Sequence, residues 1–248
     1  MQRFITKSPL SIQILKSAKL SASLPVNTLI YGEAGVGKKL IAAEILISST
    51  AISAKELEIA IINKQIDLNE FTSLIIYDIH LVINLDEFLD ALKNIKIVAT
   101  SLHKHEKYTT QFAIKIEIPS LDQRPEDLKE LIDIYVNEAS QIYKSSNSYN
   151  TKDINIDLSG NGITLKQSIY KAILLKSITK QEMMDTLETY LYTQLTNGKA
   201  YKELLEVFEI PLLKSAKKAF KSQLQMANKL VINRITLRKK LHKYFGEA

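Results

Sequence analysis

The sequence predicts an α/β domain built on a parallel sheet, followed by an all-helical region. In the first half of the chain, short apolar runs alternate with segments of helical periodicity, which is typical of a parallel sheet covered by helices. After Pro125 the strand patterns stop and helical patterns continue to the end of the chain. The excess of basic residues is confined to the last fifth of the chain.

The composition favours a globular protein without disulfide bonds. The 248 residues are 46% apolar and include no cysteine, which excludes disulfides and thiolate metal sites. No apolar run approaches the roughly 20 residues that span a membrane. The N-terminus also lacks the apolar stretch of a signal peptide. We therefore expect a cytoplasmic protein with no membrane partner.

Four strands and two amphipathic helices are predicted in the first half. The strands are apolar runs bounded by polar residues or glycine, and the helices carry apolar residues at helical spacing. The predicted strands are Asn27–Gly32, Ser73–Asp78, Ile95–Thr100 and Phe112–Ile118, and the predicted helices are Lys38–Ile47 and Leu85–Ile95.

The second half is predicted to be helical. Pro125 and the acidic residues after it mark a helix start. The first turn of a helix leaves its backbone amides unpaired, so proline, which has none, loses no hydrogen bond there, and acidic residues are stabilised by the helix dipole at the N-terminus. A polar loop is predicted at Lys144–Lys152, and helices from Gly162 onward with a break at Thr196–Ala200. These patterns divide the chain into residues 1–125, 126–180 and 181–248.

A glycine-rich segment, "GEAGVGKK" at residues 32–39, follows a predicted strand and opens a predicted helix, as a phosphate-binding P-loop does. Its glycines let backbone amides approach phosphate oxygens at a helix N-terminus, and its lysine reaches the terminal phosphates. We therefore predict a site for ATP or ADP, with Mg²⁺ as an accompanying ion. The predicted cofactor-binding residues are Gly32, Gly35, Gly37, Lys38, Lys39 and Asp78.

Two positions of this predicted site are unusual. Lys39 replaces the Ser or Thr that ligates Mg²⁺ in many P-loops, so the ion would depend on Asp78, directly or through water. In many such ATPases the residue after this aspartate is a glutamate that polarises water. Here that residue is Ile79, which can neither orient nor deprotonate water.

Residues from Phe4 to about Leu175 resemble the AAA+ domain of bacterial enhancer-binding proteins, the sigma-54-dependent activators. The resemblance rests on "SPLSIQIL", "GEAGVGKKLIA", "IKIVATS", "IEIPSLDQRPEDLKELIDIYV" and "LSGNGITLKQSIYKAIL", in the order and spacing of that family. It implies an α/β AAA+ subdomain (1–125) with a helical lid (126–180). The family usually has an acidic residue where Lys39 stands, so the missing hydroxyl is not itself a defect, but a second lysine is unusual.

The departures from this family imply that its activity is lost. The family contacts sigma-54 through a GAFTGA loop, yet no glycine occurs between Lys38 and Ser159. Its arginine fingers have no counterpart, because no arginine occurs between Arg3 and Arg124. An arginine finger is worth roughly 10³–10⁵ in rate, so we expect neither ATP hydrolysis nor sigma-54 remodelling. A protein partner at this domain stays open.

Two further positions of the family's site also differ. The lid motif of the family carries an arginine where this chain has Ile163, and the sensor asparagine is replaced by Ser101.

The last fifth of the chain carries the net positive charge. Residues 199–248 contain 12 Lys and Arg against 4 Asp and Glu, whereas the rest contains 21 against 23. This asymmetry indicates a polyanionic partner, most often nucleic acid, although charge alone fits a solvated helix face equally well.

The pattern near the C-terminus predicts a helix with an exposed basic face. Asn233 is a good N-cap for a helix that begins at Arg234. Leu237, Leu241 and Tyr244 fall at helical spacing and form a buried stripe. The cations lie outside this stripe, where a recognition helix would place them against base edges and phosphates.

From about Met184 to Tyr244 the chain resembles the Fis family, on "LLEVFEIPLLKSAKKAF" and "ANKLVINRITLRKKLHKYF". The resemblance implies an all-α, Fis-like domain that forms a homodimer and binds double-stranded DNA through a helix-turn-helix. It assigns DNA contacts to Asn233, Arg234, Thr236, Arg238 and Lys239; charge and helix position add Lys240 and Lys243. Val231 stands where such turns prefer glycine, and Ile235 either meets a thymine methyl or packs at the dimer seam.

Three histidines, His80, His103 and His105, are a weaker signal. A His-x-His pair in a predicted loop, without cysteine, is poor evidence for a metal site, so we predict none.

The sequence therefore predicts a sequence-specific DNA-binding transcriptional regulator, a nucleoid-associated homodimer whose ATPase-like domain has lost hydrolysis. Two alternatives stay open. One is an architectural Fis-like nucleoid protein that bends DNA with little sequence preference, and the other is an ATP-hydrolysing sigma-54 activator.

Overall fold

The computed structural model describes residues 3–106, 110–143 and 154–246, and the chain forms two compact units, Met1–Ser177 and Ile178–Ala248. The predicted loop Lys144–Lys152 lies outside the described residues. The helices predicted as a lid belong to the first unit, and the division of that unit at residue 125 stays a prediction.

The first unit contains a parallel sheet, as the sequence predicts, with one strand more than expected. The strand order is β2-β3-β4-β1-β5, and all neighbouring strands are parallel. The additional strand β2 lies at the edge of the sheet and contains no fully buried residue, so it lacks the apolar run that reveals a central strand. The strands are β1 Thr28–Tyr31, β2 Thr50–Ser53, β3 Ser73–Tyr77, β4 Lys96–Ser101 and β5 Ile114–Glu117.

The helices of the first unit are α1 Pro9–Ser23, α2 Lys38–Ile45, α3 Ala54–Ile62, α4 Leu85–Ala91, α5 Pro125–Ile142 and α6 Gly162–Ser177. Two of them end earlier than their apolar residues suggest, α2 at Ile45 and α4 at Ala91. Short 3-10 turns occur at Leu68–Glu70, Ile79–Leu81 and Leu121–Gln123.

Both faces of the sheet are buried, which explains the continuous apolar character of its central strands. Alternate residues of each strand point to opposite faces. Leu29 packs in the cluster that includes α3 and α4, whereas its neighbour Ile30 packs in the cluster that includes α1 and α2. Ile97 and Val98 divide between the same two clusters.

The parallel direction brings the ends of the central strands to one edge of the sheet. The P-loop follows β1, Asp78 follows β3, and Leu102 follows β4. Helices α5 and α6 pack together through Tyr135 and Ile169 in a separate apolar cluster. Ligand sites of open α/β folds occur at this carboxyl edge of the strands.

The second unit is all helical in its described residues. Its helices are α7 Lys180–Thr196, α8 Tyr201–Ala219, α9 Gln223–Leu230 and α10 Arg234–Phe245. Its core contains the predicted stripe residues Leu237 and Leu241, with Ala227 and Leu213 from α9 and α8, while Tyr244 packs at the margin. No helix in the described part of the chain is both long enough and apolar enough to cross a membrane.

The turn between α9 and α10 holds a valine in a left-handed conformation. Val231 has φ 52° and ψ 44°, and its side chain is 88% exposed. A β-branched residue rarely adopts this conformation, which costs about 1–2 kcal/mol for an L-residue other than glycine. The strain is therefore not offset by packing of the valine side chain.

We expect Val231→Asn to raise the free energy of unfolding of the second unit by about 1 kcal/mol, because asparagine tolerates the left-handed region and no packing is lost. Urea denaturation of the full chain, followed by a probe in the second unit, measures the change. Ile235→Asn is the matched control, since Ile235 is also exposed but lies in a helix. A stability gain in the control alone, or in neither variant, would contradict the expectation.

Candidate functional site

The backbone of the P-loop leaves no room for a Cβ at two of its glycines. Gly35 has φ 76°, and a Cβ there would lie 2.2 Å from the carbonyl oxygen of Gly160. At Gly32 a Cβ would lie 2.3 Å from the carbonyl oxygen of Ile118. Gly37 is the N-cap of α2. The predicted glycines thus allow the loop to pass close to other backbone segments at a helix N-terminus.

The side chain of Lys38 lies against the loop that precedes it. Its Nζ donates hydrogen bonds to the carbonyl oxygens of Gly32 (2.7 Å) and Glu33 (2.6 Å), and the residue is buried. Burial lowers the pKa of this ammonium below its ordinary value, and the nearby Asp78 carboxylate opposes that shift. The ammonium is thereby held against two carbonyl groups of the loop.

A buried asparagine joins the loop to the lid helices. Asn161 Nδ2 donates to Glu33 Oε2 (2.9 Å) and to the carbonyl oxygen of Ala34 (3.0 Å), and its Oδ1 accepts from the amide of Leu121 (2.7 Å). The amide of Gly162 donates to the carbonyl oxygen of Gly35 at 3.1 Å. The loop is therefore held between the sheet and the start of α6.

Arg124 anchors the other side of the loop. Its Nη2 donates to the carbonyl oxygen of Val36 at 3.0 Å, and its Nη1 lies 3.6 Å from Asp127 Oδ2. Both side chains are buried, and burial lowers the pKa of the guanidinium, although Asp127 opposes this. The guanidinium of Arg124 therefore links the P-loop to the start of α5.

Five of the six predicted cofactor-binding residues line one cavity of about 680 Å³ in the first unit. Asp78 lies on the cavity wall, and its backbone amide donates a hydrogen bond to Thr100 Oγ1 at 3.0 Å. Lys39 is exposed, and its Nζ lies 4.4 Å from the centre of the Tyr77 ring. Of the six predicted residues, all but Gly32 line the cavity, together with Ala34, Leu40, Thr100, Leu102, Tyr135, Gly162, Ile163, Lys166 and Gln167.

Two polar residues at the site, Lys166 on the cavity wall and Asn161 behind the loop, were not predicted as part of it. Lys166 lines the cavity from α6 and donates to Glu138 Oε2 at 2.9 Å, and its Nζ lies 5.1 Å from the centre of the Tyr135 ring. The hydrogen bond to Glu138 raises the pKa of Lys166. Asn161, which supports the site from behind the loop, lies in the quoted "LSGNG" segment, but no spacing rule marks it. Both depend on how the lid packs, which a single sequence does not reveal.

Two residues at which the sequence departs from the resembled family lie at the cavity or beside it. Ile79 is buried, so the position after Asp78 offers no group to an attacking water. Ile163 places an apolar side chain on the cavity wall. Among the described residues that line the cavity there is no arginine and no glutamate.

The three histidines lie at a different cavity of about 540 Å³ in the first unit. His80, His103 and His105 line it together with Asp86. Burial lowers the pKa of His80, and its ring centre lies 6.5 Å from that of His103. Within the described residues, no group of three or more His, Cys, Asp or Glu side chains could hold a metal ion.

Helix α10 exposes several of the predicted DNA-contacting residues. Asn233 caps the helix, with its Oδ1 accepting from the amide of Ile235 at 2.8 Å. Ile235 is 67% exposed. The side chains of Arg234, Thr236, Arg238 and Lys239 are exposed on the same helix.

The two lysines added from charge and helix position have partners within the second unit. Lys240 forms an ion pair with Glu209 of α8, and Lys243 Nζ lies 2.9 Å from Glu206 of the same helix. Tyr244 also donates to Glu209, at 2.6 Å. These contacts fasten α10 to α8.

An apolar groove lies between α7 and α8. Its volume is about 270 Å³, and α7 has no buried residue. The groove is lined by Leu187, Leu191, Leu195, Tyr201, Leu204, Leu205, Val207 and Phe208.

Residues 4–70 match the family model of the Sigma-54 interaction domain. The chain is also similar in fold to NtrX from Brucella abortus. Its complex with ATP gives a TM-score of 0.55 at 14% identity, over 98% of this chain and 69% of the NtrX chain. Its complex with ADP gives a TM-score of 0.58 at 15% identity, over 96% and 68%. Curated proteins gave no significant match. The family match thus covers the segment from Phe4 to Glu70, which includes the P-loop, and the likeness to NtrX is one of fold.

We expect Asn161→Ala to lower the free energy of unfolding of the first unit by about 2–4 kcal/mol, because it leaves a buried amide and carbonyl unpaired and places alanine at φ 51°. Asn161→Gly is the matched variant, since it loses the same hydrogen bonds but accepts the left-handed backbone. It should lose about 1 kcal/mol less than Asn161→Ala. Equal stability of Asn161→Ala and the wild type in chemical denaturation would contradict the role of this residue.

Proposed function

We propose that the chain is a sequence-specific DNA-binding transcriptional regulator that acts as a homodimer, and that its first unit binds ATP or ADP without hydrolysing it. The exposed basic face of α10 carries the proposal of DNA binding. The cavity beside the P-loop supports the proposal of nucleotide binding.

The packing of α10 supports a role as a recognition helix. Leu237 and Leu241 are buried against the unit's core, so the opposite face of the helix, with Arg234 and Arg238, meets solvent. A guanidinium presents a planar fork that matches guanine edges or phosphates, which the point charge of lysine does not. Two helices joined by a tight turn are the arrangement with which helix-turn-helix proteins enter the major groove. This supports DNA contacts by Asn233, Arg234, Thr236, Arg238 and Lys239.

Lys240 and Lys243 have a second role in this proposal. Their ion pairs with Glu209 and Glu206 hold α10 against α8, so they position the helix as well as adding positive charge near the DNA. Surface ion pairs contribute little stability individually, and DNA phosphates would compete for the same ammonium groups.

The groove between α7 and α8 supports a homodimer. Its lining is almost entirely apolar, and exposed side chains such as Leu195 and Phe208 would leave water if a second copy packed on it. A symmetric dimer would present two recognition helices, as operators with two half-sites require.

The cavity supports binding of ATP or ADP. Its volume is within the range of small-molecule sites, and it joins the P-loop, the end of β3 and the lid helix α6. The similar structures of NtrX are complexes with ATP and with ADP.

The same cavity supports the loss of hydrolysis. The buried Ile79 cannot activate water, and Arg124 is committed to Val36 and Asp127. Without GAFTGA the first unit has no loop for sigma-54, so we propose that any regulatory signal arrives as bound nucleotide or through another protein partner. A DNA-binding regulator of this kind would act at the nucleoid.

We expect Arg234→Ala and Arg238→Ala each to weaken binding to a selected DNA site by roughly 5- to 150-fold, because each removes one planar contact worth about 1–3 kcal/mol. Fluorescence anisotropy with a labelled duplex, selected from genomic fragments by the wild-type protein, gives the affinities. Arg234→Lys keeps the charge but not the fork, and it should restore binding to random DNA more fully than binding to the selected site.

Lys199→Ala is the control, because this exposed lysine lies outside α10. Unchanged affinity in both arginine variants would contradict the proposed readout. A wild-type preference for the selected site over random DNA of less than about 10³ would favour the architectural alternative.

We expect ATP turnover below about 10⁻² per second, because an arginine finger alone is worth roughly 10³–10⁵ in rate and the polarising glutamate is also replaced. A phosphate-release assay at saturating Mg-ATP, with and without DNA, measures it. Turnover near one per second would instead favour the ATP-hydrolysing alternative.

A further inference from the structure

The charges around the P-loop cavity point to an unusual mode of nucleotide binding. We propose that the cavity binds a nucleoside polyphosphate without a divalent cation, and that Lys39 neutralises the phosphates in place of Mg²⁺. This inference rests on the proposed binding of nucleotide by the first unit, and it names the form in which the nucleotide binds.

The residues present offer Mg²⁺ the minimum of protein ligands. This ion takes oxygen ligands in near-octahedral geometry and is bound in nucleotide sites through one or two carboxylates and the phosphates. Asp78 is the only carboxylate among the described residues that line the cavity. The position after Asp78 is a buried isoleucine, and the position after Lys38 is a second lysine.

The net charge of the cavity favours an anion over a second cation. Three lysines line it, Lys38, Lys39 and Lys166, and Asp78 is the carboxylate on the same lining; Lys166 is paired with Glu138 at 2.9 Å, which leaves Lys38 and Lys39 against Asp78. Burial lowers the pKa of Lys38, and the charge of Lys39 lowers it further, whereas the carboxylates of Asp78 and Glu33 oppose the shift. A divalent cation placed beside Asp78 would therefore be repelled by ammonium groups within the same small volume.

Lys39 is well placed to act as the counter-cation. It lies in the first turn of α2, directly after the lysine that faces the loop, and its ammonium rests over the Tyr77 ring at the end of β3. This contact holds the charge beside the strand that leads to Asp78, the position from which Mg²⁺ would otherwise be bound. Lys166 lines the cavity from the lid, but its ammonium is paired with Glu138, so Lys39 is the lysine that can serve as counter-cation.

The test is a titration of the full chain with mant-ATP, read by fluorescence, in Mg²⁺ and again in EDTA without Mg²⁺. We expect the two dissociation constants to agree within about threefold, since the lysines supply the charge compensation. Lys39→Ser removes the ammonium and introduces a hydroxyl. It should weaken binding in EDTA by roughly tenfold, as expected for the loss of one charge-assisted hydrogen bond, and addition of Mg²⁺ should recover part of the loss.

Lys55→Ser is the matched control, an exposed lysine on α3 that does not line the cavity, and it should bind as the wild type does in both buffers. Wild-type binding that weakens by more than about threefold in EDTA would overturn the inference while leaving nucleotide binding intact. Unchanged binding of Lys39→Ser in EDTA would overturn the role of Lys39. Absence of wild-type binding in both buffers would instead refute the proposed nucleotide site, and the inference with it.

Discussion

The geometry of the P-loop cavity depends on a buried ion pair that does not itself line the cavity. Arg124 and Asp127 lie one turn apart at the start of α5, and both are shielded from water. Arg124 holds the carbonyl of Val36 in the P-loop, and Asp127 accepts hydrogen bonds from the amides of Lys7 (2.7 Å) and Ser8 (2.8 Å). A buried pair of this kind is tolerated only when its remaining hydrogen-bonding groups find partners, and here the P-loop and the N-terminal segment supply most of them. One buried donor, Arg124 Nε, has no partner among the described atoms. Loss of either charge would therefore disturb three segments that are distant in sequence.

Much of the fold could be predicted from the sequence because the central strands are buried on both faces. Leu74, Ile75 and Ile76 form a run that no solvent-facing strand would tolerate, and the parallel sheet follows from the helices between such runs. The edge strand β2 could not be predicted in this way, since Thr50–Ser53 is short and partly exposed. Some helices also end earlier than the sequence predicts, because apolar residues such as Ile47 continue the helical pattern beyond the last helical hydrogen bonds.

Residues of the candidate sites could be proposed from the sequence where the local backbone conformation requires a particular residue type. The glycines of the P-loop and the cap at Asn233 are required by backbone geometry within a few residues, so their pattern can be recognised in a single sequence. Asn161 joins the lid to the P-loop, and Lys166 pairs with Glu138 between the two lid helices. Their partners are more than 25 residues away along the chain. The assignment of Lys243 to DNA overlooked its glutamate partner on α8 for the same reason.

The bond between the Gly162 amide and the Gly35 carbonyl has a consequence for how this fold can be altered through evolution. The loop cannot adopt its shape on the sheet alone, because one of its carbonyls is satisfied by the first residue of α6 and another by Asn161. Recombination that exchanged residues 1–125 and left the lid behind would separate these partners and expose unpaired backbone groups. The P-loop and the lid therefore form one structural module, the unit that ends at Ser177, and neither part could be replaced without the other.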